Sequence, residues 1–272
     1  MSCRRLVEDE SVTRNERWLR RSKRFPYRFL LQAVPLHTLA ELRFELRLSW
    51  LRLTRRGINP RFASSKDLLV NVGCGSSGRD GWVNIDCFPS PGVTFVRDCR
   101  TALPLPSSSV RGIFTEHFFE HLDYYEEAPK FLEECRRVLC QGGTIRLIVP
   151  DGAKYLSAYC DGDLKDMAVF SPLVTMDPSD DDAPFSIQKT VLPFRTKMEV
   201  VNFHFRQSGQ HRFSYDFETL SALLEECGFT SVVRRPFRRS HLADLAIDSE
   251  IRAAESLVVE ATAPFADGEA PV

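Results

Sequence analysis

Residues 68–89 read LLVNVGCGSSGRDGWVNIDCFP, an apolar strand that ends in glycines followed by a second strand that ends in a carboxylate. Gly73, Gly75 and Gly78 fit the pattern G-x-G-x-x-G, in which missing side chains let a ligand press against backbone at the carboxyl end of a strand. The stretch therefore predicts an α/β fold with a ligand-binding edge. It does not by itself say which ligand.

Outward from this stretch, strands and helices alternate. Strands are expected from Leu68 to Val72, Trp82 to Ile85, Thr94 to Val96, Gly112 to Thr115 and Thr144 to Val149. A helix from Tyr124 to Leu139 presents Phe131, Leu132, Cys135 and Leu139 on one face, and Gly142-Gly143 reads as its stop. Such alternation implies a mostly parallel sheet with crossovers. Beyond Pro150 the pattern breaks until about Phe213, around the acidic turn segment from Asp177 to Pro184, so residues 151–213 read as a lid or substrate insertion. A second helix from Phe217 to Cys227 stops at Gly228, and strands from Ser231 to Arg235 and from Ser256 to Ala261 complete the domain. The expected organisation is a basic helical extension over 1–66, a Rossmann-like doubly wound domain with a seven-stranded sheet over 67–262, and a disordered tail over 263–272.

With 272 residues, 43% hydrophobic and 27% charged, the chain can bury one good core and carry extensions. Its eight cysteines show no paired C-x-x-C spacing, which predicts reduced thiols and a cytoplasmic protein. No apolar run reaches the roughly 18 residues of a membrane span. The net charge of −1 hides an asymmetry: residues 1–66 carry 16 Lys/Arg against 6 Asp/Glu, and the remainder 20 against 31. A basic arm of this kind suits anionic lipid, nucleic acid or a phosphorylated substrate, or packs on an acidic body. From Leu36 to Leu53 a helix is expected, with Leu39, Leu42, Leu46, Trp50 and Leu53 on one stripe. Arg43, Arg47 and Arg52 would let it make peripheral membrane contact within residues 1–60, the alternative being an amphipathic helix that covers the core.

Asp86 follows Gly78 by only eight residues, which leaves no room for the full crossover helix of a dinucleotide-binding unit. The residues instead resemble the class I S-adenosylmethionine-dependent methyltransferases, and in particular a compact subgroup associated with surface-polysaccharide or small-molecule biosynthesis. The likeness spans about residues 67–262. It rests on Asn71-Val-Gly-Cys-Gly-Ser-Ser77, Gly81-Trp-Val-Asn-Ile-Asp86, Arg97-Asp98 followed by Leu103-Pro-Leu-Pro106, Glu116-His-Phe-Phe-Glu-His-Leu122, and Gly142-Gly-Thr144 followed by Val149-Pro-Asp151.

The resemblance implies S-adenosylmethionine as cofactor. Asn71, Gly73, Cys74 and Gly75 would line its methionine end, where backbone groups can meet the amino and carboxylate termini. Asp86 would accept from both ribose hydroxyls, and Asp98 from the adenine amino group, while the Cys99 backbone meets a ring nitrogen. Glu116 and His117 would lie near the sulfonium. His117 and His211, the latter in Gly209-Gln-His-Arg-Phe-Ser-Tyr215, are candidates to orient the acceptor or take its proton, and Glu116 joins them as a catalytic candidate. Asp151 also falls at the ligand edge, with a plain turn residue as the alternative.

His117-Phe-Phe-Glu-His121 also spells H-x-x-E-H, a zinc-peptidase motif that needs both histidines on one face of a long helix. Here it straddles a strand end. No metal is expected on that basis, and Glu120 and His121 read as structural.

The expected activity is methyl transfer to an oxygen or nitrogen of a small-molecule, sugar or glycan-intermediate acceptor. The alternatives are an NAD-dependent oxidoreductase and a non-catalytic module of the same fold. A nucleic-acid acceptor is disfavoured, because the fourth strand ends in Glu116-His117-Phe118 and not in an Asn/Asp-Pro-Pro-Tyr motif. Oligomeric state is left open.

Overall fold

The computed structural model describes residues 36–55, 57–163 and 194–265. Residues 1–35 of the expected basic extension, the acidic turn at 177–184 and the end of the tail lie outside these residues. The chain divides into two compact units, residues 1–49 and 50–272.

The second unit is built on a seven-stranded sheet of order β3-β2-β1-β4-β5-β7-β6, in which β1 is Leu68–Val72, β2 Val83–Asp86, β3 Phe95–Val96, β4 Val110–Glu116, β5 Leu139–Pro150, β6 Thr230–Arg234 and β7 Ser256–Thr262. Strands β1 to β5 pair in parallel, whereas β7 runs antiparallel to both β5 and β6. β1 and β4 lie at the centre, and Val70–Val72 of β1 and Gly112–Thr115 of β4 are buried, as expected for a parallel sheet covered on both faces.

One face packs against α2 (Glu127–Val138) and α5 (Phe217–Glu226). Ala128, Phe131, Leu132, Cys135 and Val138 form the inward stripe of α2 at helical spacing, each fully buried. The Asp123 carboxylate accepts from the Tyr125 and Glu126 amides and so begins α2 later than the sequence suggests. Asp216 caps α5 by accepting from the Thr219 amide at 2.9 Å, and Gly228 (φ +82°) ends it. Gly142-Gly143 lies inside β5 and is no helix stop: the register against β4 jumps there, from Val110 opposite Leu139 to Gly112 opposite Thr144. Gly142 takes φ +72°, and a Cβ at Gly143 would fall 2.9 Å from the Cys140 carbonyl oxygen.

The other face is covered chiefly by the irregular segment 235–253. Leu242, Leu245 and Ile247 from that segment pack on Phe114, Ile148 and Val258 of the sheet. Beneath it, Arg146 of β5 is fully buried, paired through Nε with Asp248 Oδ1 (2.8 Å) and through Nη1 with Glu260 Oε1 (2.7 Å). Glu260 also accepts from Arg235 Nε and the His241 amide. A buried charge survives only when paired and hydrogen-bonded, and these contacts pin the covering segment to β5 and β7.

The segment expected to be irregular after Pro150 contains two helices among its described residues, α3 (Gly152–Asp161) and α4 (Lys197–Arg206), which share a small core of Tyr155, Val200 and Val201. The Thr196 hydroxyl and Glu199 carboxylate form a capping box that starts α4. The N-terminal helix, α1 (Leu36–Thr54), buries Leu48 and Leu51. Four of the five residues of the expected stripe, Leu42, Leu46, Trp50 and Leu53, are more than half exposed, which counts against the alternative in which that stripe covers the core. Periodicity alone could not choose between two apolar faces on one helix. Cys74, Cys99 and Cys135 are buried. Among the described residues, no helix is long and apolar enough to cross a membrane.

Candidate functional site

The carboxyl ends of β1, β2, β4 and β5 gather the predicted residues along one edge of the sheet. After β1 the chain turns back under its own hydrogen bonds. Gly73 donates its amide to the Ile85 carbonyl (2.9 Å), and Ser77 donates to that of Cys74 (2.8 Å). The Asn71 amide nitrogen donates to the Ser77 carbonyl (3.2 Å), tying the loop to the strand that precedes it. The Gly75 amide donates to Asp86 Oδ2 at 2.9 Å, while Asp86 Oδ1 accepts from the Phe88 amide at 2.8 Å. Asp86 is 8% exposed, and each of its oxygens keeps a second lone pair.

The three glycines differ in what they are for. At Gly73 (φ +70°) a Cβ would meet the Phe118 Cβ at 2.5 Å, so the residue admits the ring that follows β4. At Gly78 a Cβ would fall 2.9 Å from the Gly92 backbone, so its role is close chain packing. At Gly75 (φ +51°) nothing lies within 4 Å, and the backbone faces open space beside Asp86. Cys74 is buried, its thiol pushed up to about 12 by burial and by the Asp86 carboxylate, so it is not a nucleophile.

Asp98 is buried and held by two arginines: Oδ1 accepts from the Arg100 amide (3.0 Å) and Nε (3.2 Å), and Oδ2 pairs with Arg52 Nε. The Cys99 side chain lies in the main core, where burial drives its thiol far up. Any ligand role at Cys99 thus belongs to its backbone.

At the end of β4, Glu116 and His117 turn in different directions. Glu116 Oε1 accepts from the Ser249 amide at 2.9 Å, reaching toward the covering segment, and burial pushes its carboxyl above the usual carboxylate range despite that bond and the nearby His117. His117 sits at φ +51°, a left-handed backbone that histidine tolerates better than most residues. Its Nε2 lies 2.9 Å from Ser256 Oγ and its Nδ1 lies 3.4 Å from Glu120 Oε1.

Glu120 is the meeting point of the second group. Its side chain is 2% exposed, and His211 Nε2 approaches the same Oε1 to 3.9 Å. His117 and His211, separated by more than ninety positions in sequence, are therefore brought to one carboxylate. Burial opposes the charge on Glu120, but the imidazoles of His117, His121 and His211 outweigh it and hold the carboxyl at about 2. Burial takes His211 down to about 4 and His204 to about 3. His211 is not a surface residue, its side chain being 5% exposed. The Arg212 and Phe213 amides donate to the Glu120 carbonyl (2.8 and 3.3 Å), which stitches the segment after α4 to the turn after β4.

Glu255, which precedes β7, organises the far side. It accepts from the Tyr155 hydroxyl (3.1 Å) and from Arg252 Nη1 (2.9 Å), and lies 3.7 Å from His204 Nδ1. The Tyr155 and His204 rings stack at 4.2 Å. Asp151 is 1% exposed and pairs with Arg234 through Oδ2. Glu255, Tyr155, His204 and Ser256 escape sequence reasoning. The legible signals were the Thr196-x-x-Glu199 box before α4 and the charged residues Arg146 and Glu260 inside otherwise apolar strands.

Residues 84–147 match a family model described as a methyltransferase domain. Among curated proteins, none matches this sequence. Similar solved structures include an S-adenosylmethionine-dependent methyltransferase from Archaeoglobus fulgidus, 18% identical, covering 84% of this chain and 99% of that one at a TM-score of 0.39. Another, from Aquifex aeolicus, is 16% identical over 74% of this chain and 85% of that one, with a TM-score of 0.37. A third, from Mesorhizobium loti, is 12% identical over 73% and 91%, with a TM-score of 0.39. The stretch that matches the methyltransferase-domain model runs from β2 to β5, within the sheet whose strand order, antiparallel β7 and glycine-to-carboxylate edge are described above.

Proposed function

We propose that the protein transfers a methyl group from S-adenosylmethionine to an oxygen or nitrogen of a small-molecule, sugar or glycan-intermediate acceptor. The observation that carries this reading is the open backbone at Gly75, braced by Asp86 at the carboxyl edge of the sheet. The cofactor supplies an activated methyl group on its sulfonium, so the protein's task is to hold, orient and exclude water.

Asn71 keeps the glycine loop closed on β1, and the Gly73, Cys74 and Gly75 backbone offers amide donors to the methionine end. Asp86, with a spare lone pair on each oxygen, accepts from the ribose hydroxyls, and one such charged hydrogen bond contributes about 1.5–3 kcal/mol. Asp98, fixed by Arg52 and Arg100, orders the turn that presents the Cys99 backbone to the adenine. Glu116 anchors the segment that closes the site, through the Ser249 amide. His117 and His211, both turned to Glu120, position the acceptor from beneath; His211, neutral at physiological pH, would accept a proton through Nε2.

Thermal denaturation with S-adenosylhomocysteine and with NAD tests the ligand class: stabilisation by the former alone is expected, and stabilisation by NAD alone would overturn the reading. A screen of cell fractions with tritiated-methyl cofactor then tests the activity. Incorporation into a small, protease- and nuclease-resistant species is the expected result. Cofactor affinity with no incorporation into any fraction would favour a non-catalytic module.

A further inference from the structure

We propose that Glu120, His121 and His211 form a binding site for a divalent transition ion of the zinc class. One ligand atom from each of the three lies within 4.8 Å of the other two. Glu120 and His121 come from the turn after β4, and His211 comes from the segment after α4, so an ion there would join two parts of the chain.

The hydrogen bonds around the cluster decide which atoms face inward. His121 Nδ1 lies 3.0 Å from the Gln210 carbonyl, and His211 Nδ1 lies 2.6 Å from the His204 carbonyl. A carbonyl oxygen only accepts, so both Nδ1 atoms carry the proton and both Nε2 atoms present a lone pair. This is the arrangement by which backbone carbonyls orient metal-binding imidazoles and raise their basicity. Among the described residues, neither carboxylate oxygen of Glu120 has a hydrogen-bond partner, although the side chain is 2% exposed. The nearest donor, His117 Nδ1, stands off at 3.4 Å. Electron-rich atoms with no proton between them therefore converge on one buried point, and a cation is the partner that satisfies them together.

Size and ligand type agree. A cavity of about 10 Å³, about the size of one water, adjoins the cluster and is bounded by Glu120, Tyr155, His204 and His211 but not by His121. Tetrahedral zinc holds its nitrogen and oxygen ligands at about 2.0–2.2 Å, hence about 3.3–3.6 Å from one another. His211 Nε2 and Glu120 Oε1, at 3.9 Å, reach that spacing with a shift of well under an ångström. Two imidazoles and one carboxylate suit zinc, iron, cobalt or nickel more than magnesium or calcium. The site differs from the peptidase arrangement that H-x-x-E-H suggests, because His117 is replaced as a ligand by the remote His211. An ion there would take the His211 Nε2 lone pair that the proposed methyl transfer uses to accept a proton, so the ion-bound and proton-accepting states of His211 exclude one another.

The test is a titration of full-length, chelator-stripped protein with Co²⁺, read by visible absorption and followed by displacement with Zn²⁺. One equivalent of each, and a rise in melting temperature with Zn²⁺ that a chelator reverses, are expected. His121→Ala and His211→Ala should each weaken Co²⁺ binding by at least tenfold, with near-native circular dichroism. If either variant fails to fold, the wild-type stoichiometry and the reversible Zn²⁺ shift decide the matter. Failure of the wild type to take up Co²⁺ or Zn²⁺, a water alone in the cavity, or undiminished uptake by both folded variants would overturn the proposal.

Discussion

The glycine edge and the Glu120 cluster lie along the same side of the sheet and were assembled in opposite ways. The first is local: Asn71, Gly73, Gly75 and Asp86 fall within one strand-loop-strand unit, and its hydrogen bonds run between neighbours in sequence. The second draws on the turn after β4, on α3, on the segment after α4 and on the residues before β7. A local site depends on backbone conformation, whereas a dispersed one depends on the packing of every segment that reaches it. Damage to the covering segments should therefore disturb the cluster and spare the glycine edge.

The largest expected effect falls on the segment that covers the sheet. Arg146→Ala leaves Asp248 and Glu260 buried with their principal cation gone, and should cost about 3–5 kcal/mol of stability in denaturant unfolding. Loss of less than 1 kcal/mol would show that the covering segment is held by its apolar contacts alone. Next, Gly73→Ala drives a Cβ into Phe118 from a left-handed backbone and should destabilise by about 2–4 kcal/mol, combining overpacking with backbone strain. Gly75→Ala meets no atom and should cost only about 1–2 kcal/mol, while still impairing ligand binding. Equal losses at both positions would erase the distinction between the glycine that packs and the glycine that is open. The smallest effect is Asp216→Ala, remote from both regions. Loss of the α5 cap should cost about 1 kcal/mol and leave cofactor affinity unchanged.

The same contrast explains what the sequence could disclose. Strands β1, β2, β4 and β7 and helices α2 and α5 were legible within a few residues because period and apolar content decide them. The eight-residue gap from Gly78 to Asp86 announced a crossover without a helix, and none is present between β1 and β2. Residues 151–163 and 194–206 were read as irregular because α3 and α4 are short and bury only a few side chains each. The exposure of Leu42, Leu46, Trp50 and Leu53 counts against the alternative in which their stripe covers the core, because Leu48 and Leu51 supply a second apolar face on the same helix and that face is the buried one. His211 was picked out by its surrounding motif, yet its convergence with His117 on Glu120 is a tertiary fact that no local spacing encodes.

The central claim is that Asp86, bracing the open glycine turn, holds the cofactor's ribose. Isothermal titration calorimetry of Asp86→Ala against S-adenosylhomocysteine tests it most directly. The expected result is affinity at least tenfold weaker than that of the wild type, as the loss of one charged hydrogen bond implies, with near-native circular dichroism. Unchanged affinity in the folded variant would contradict it.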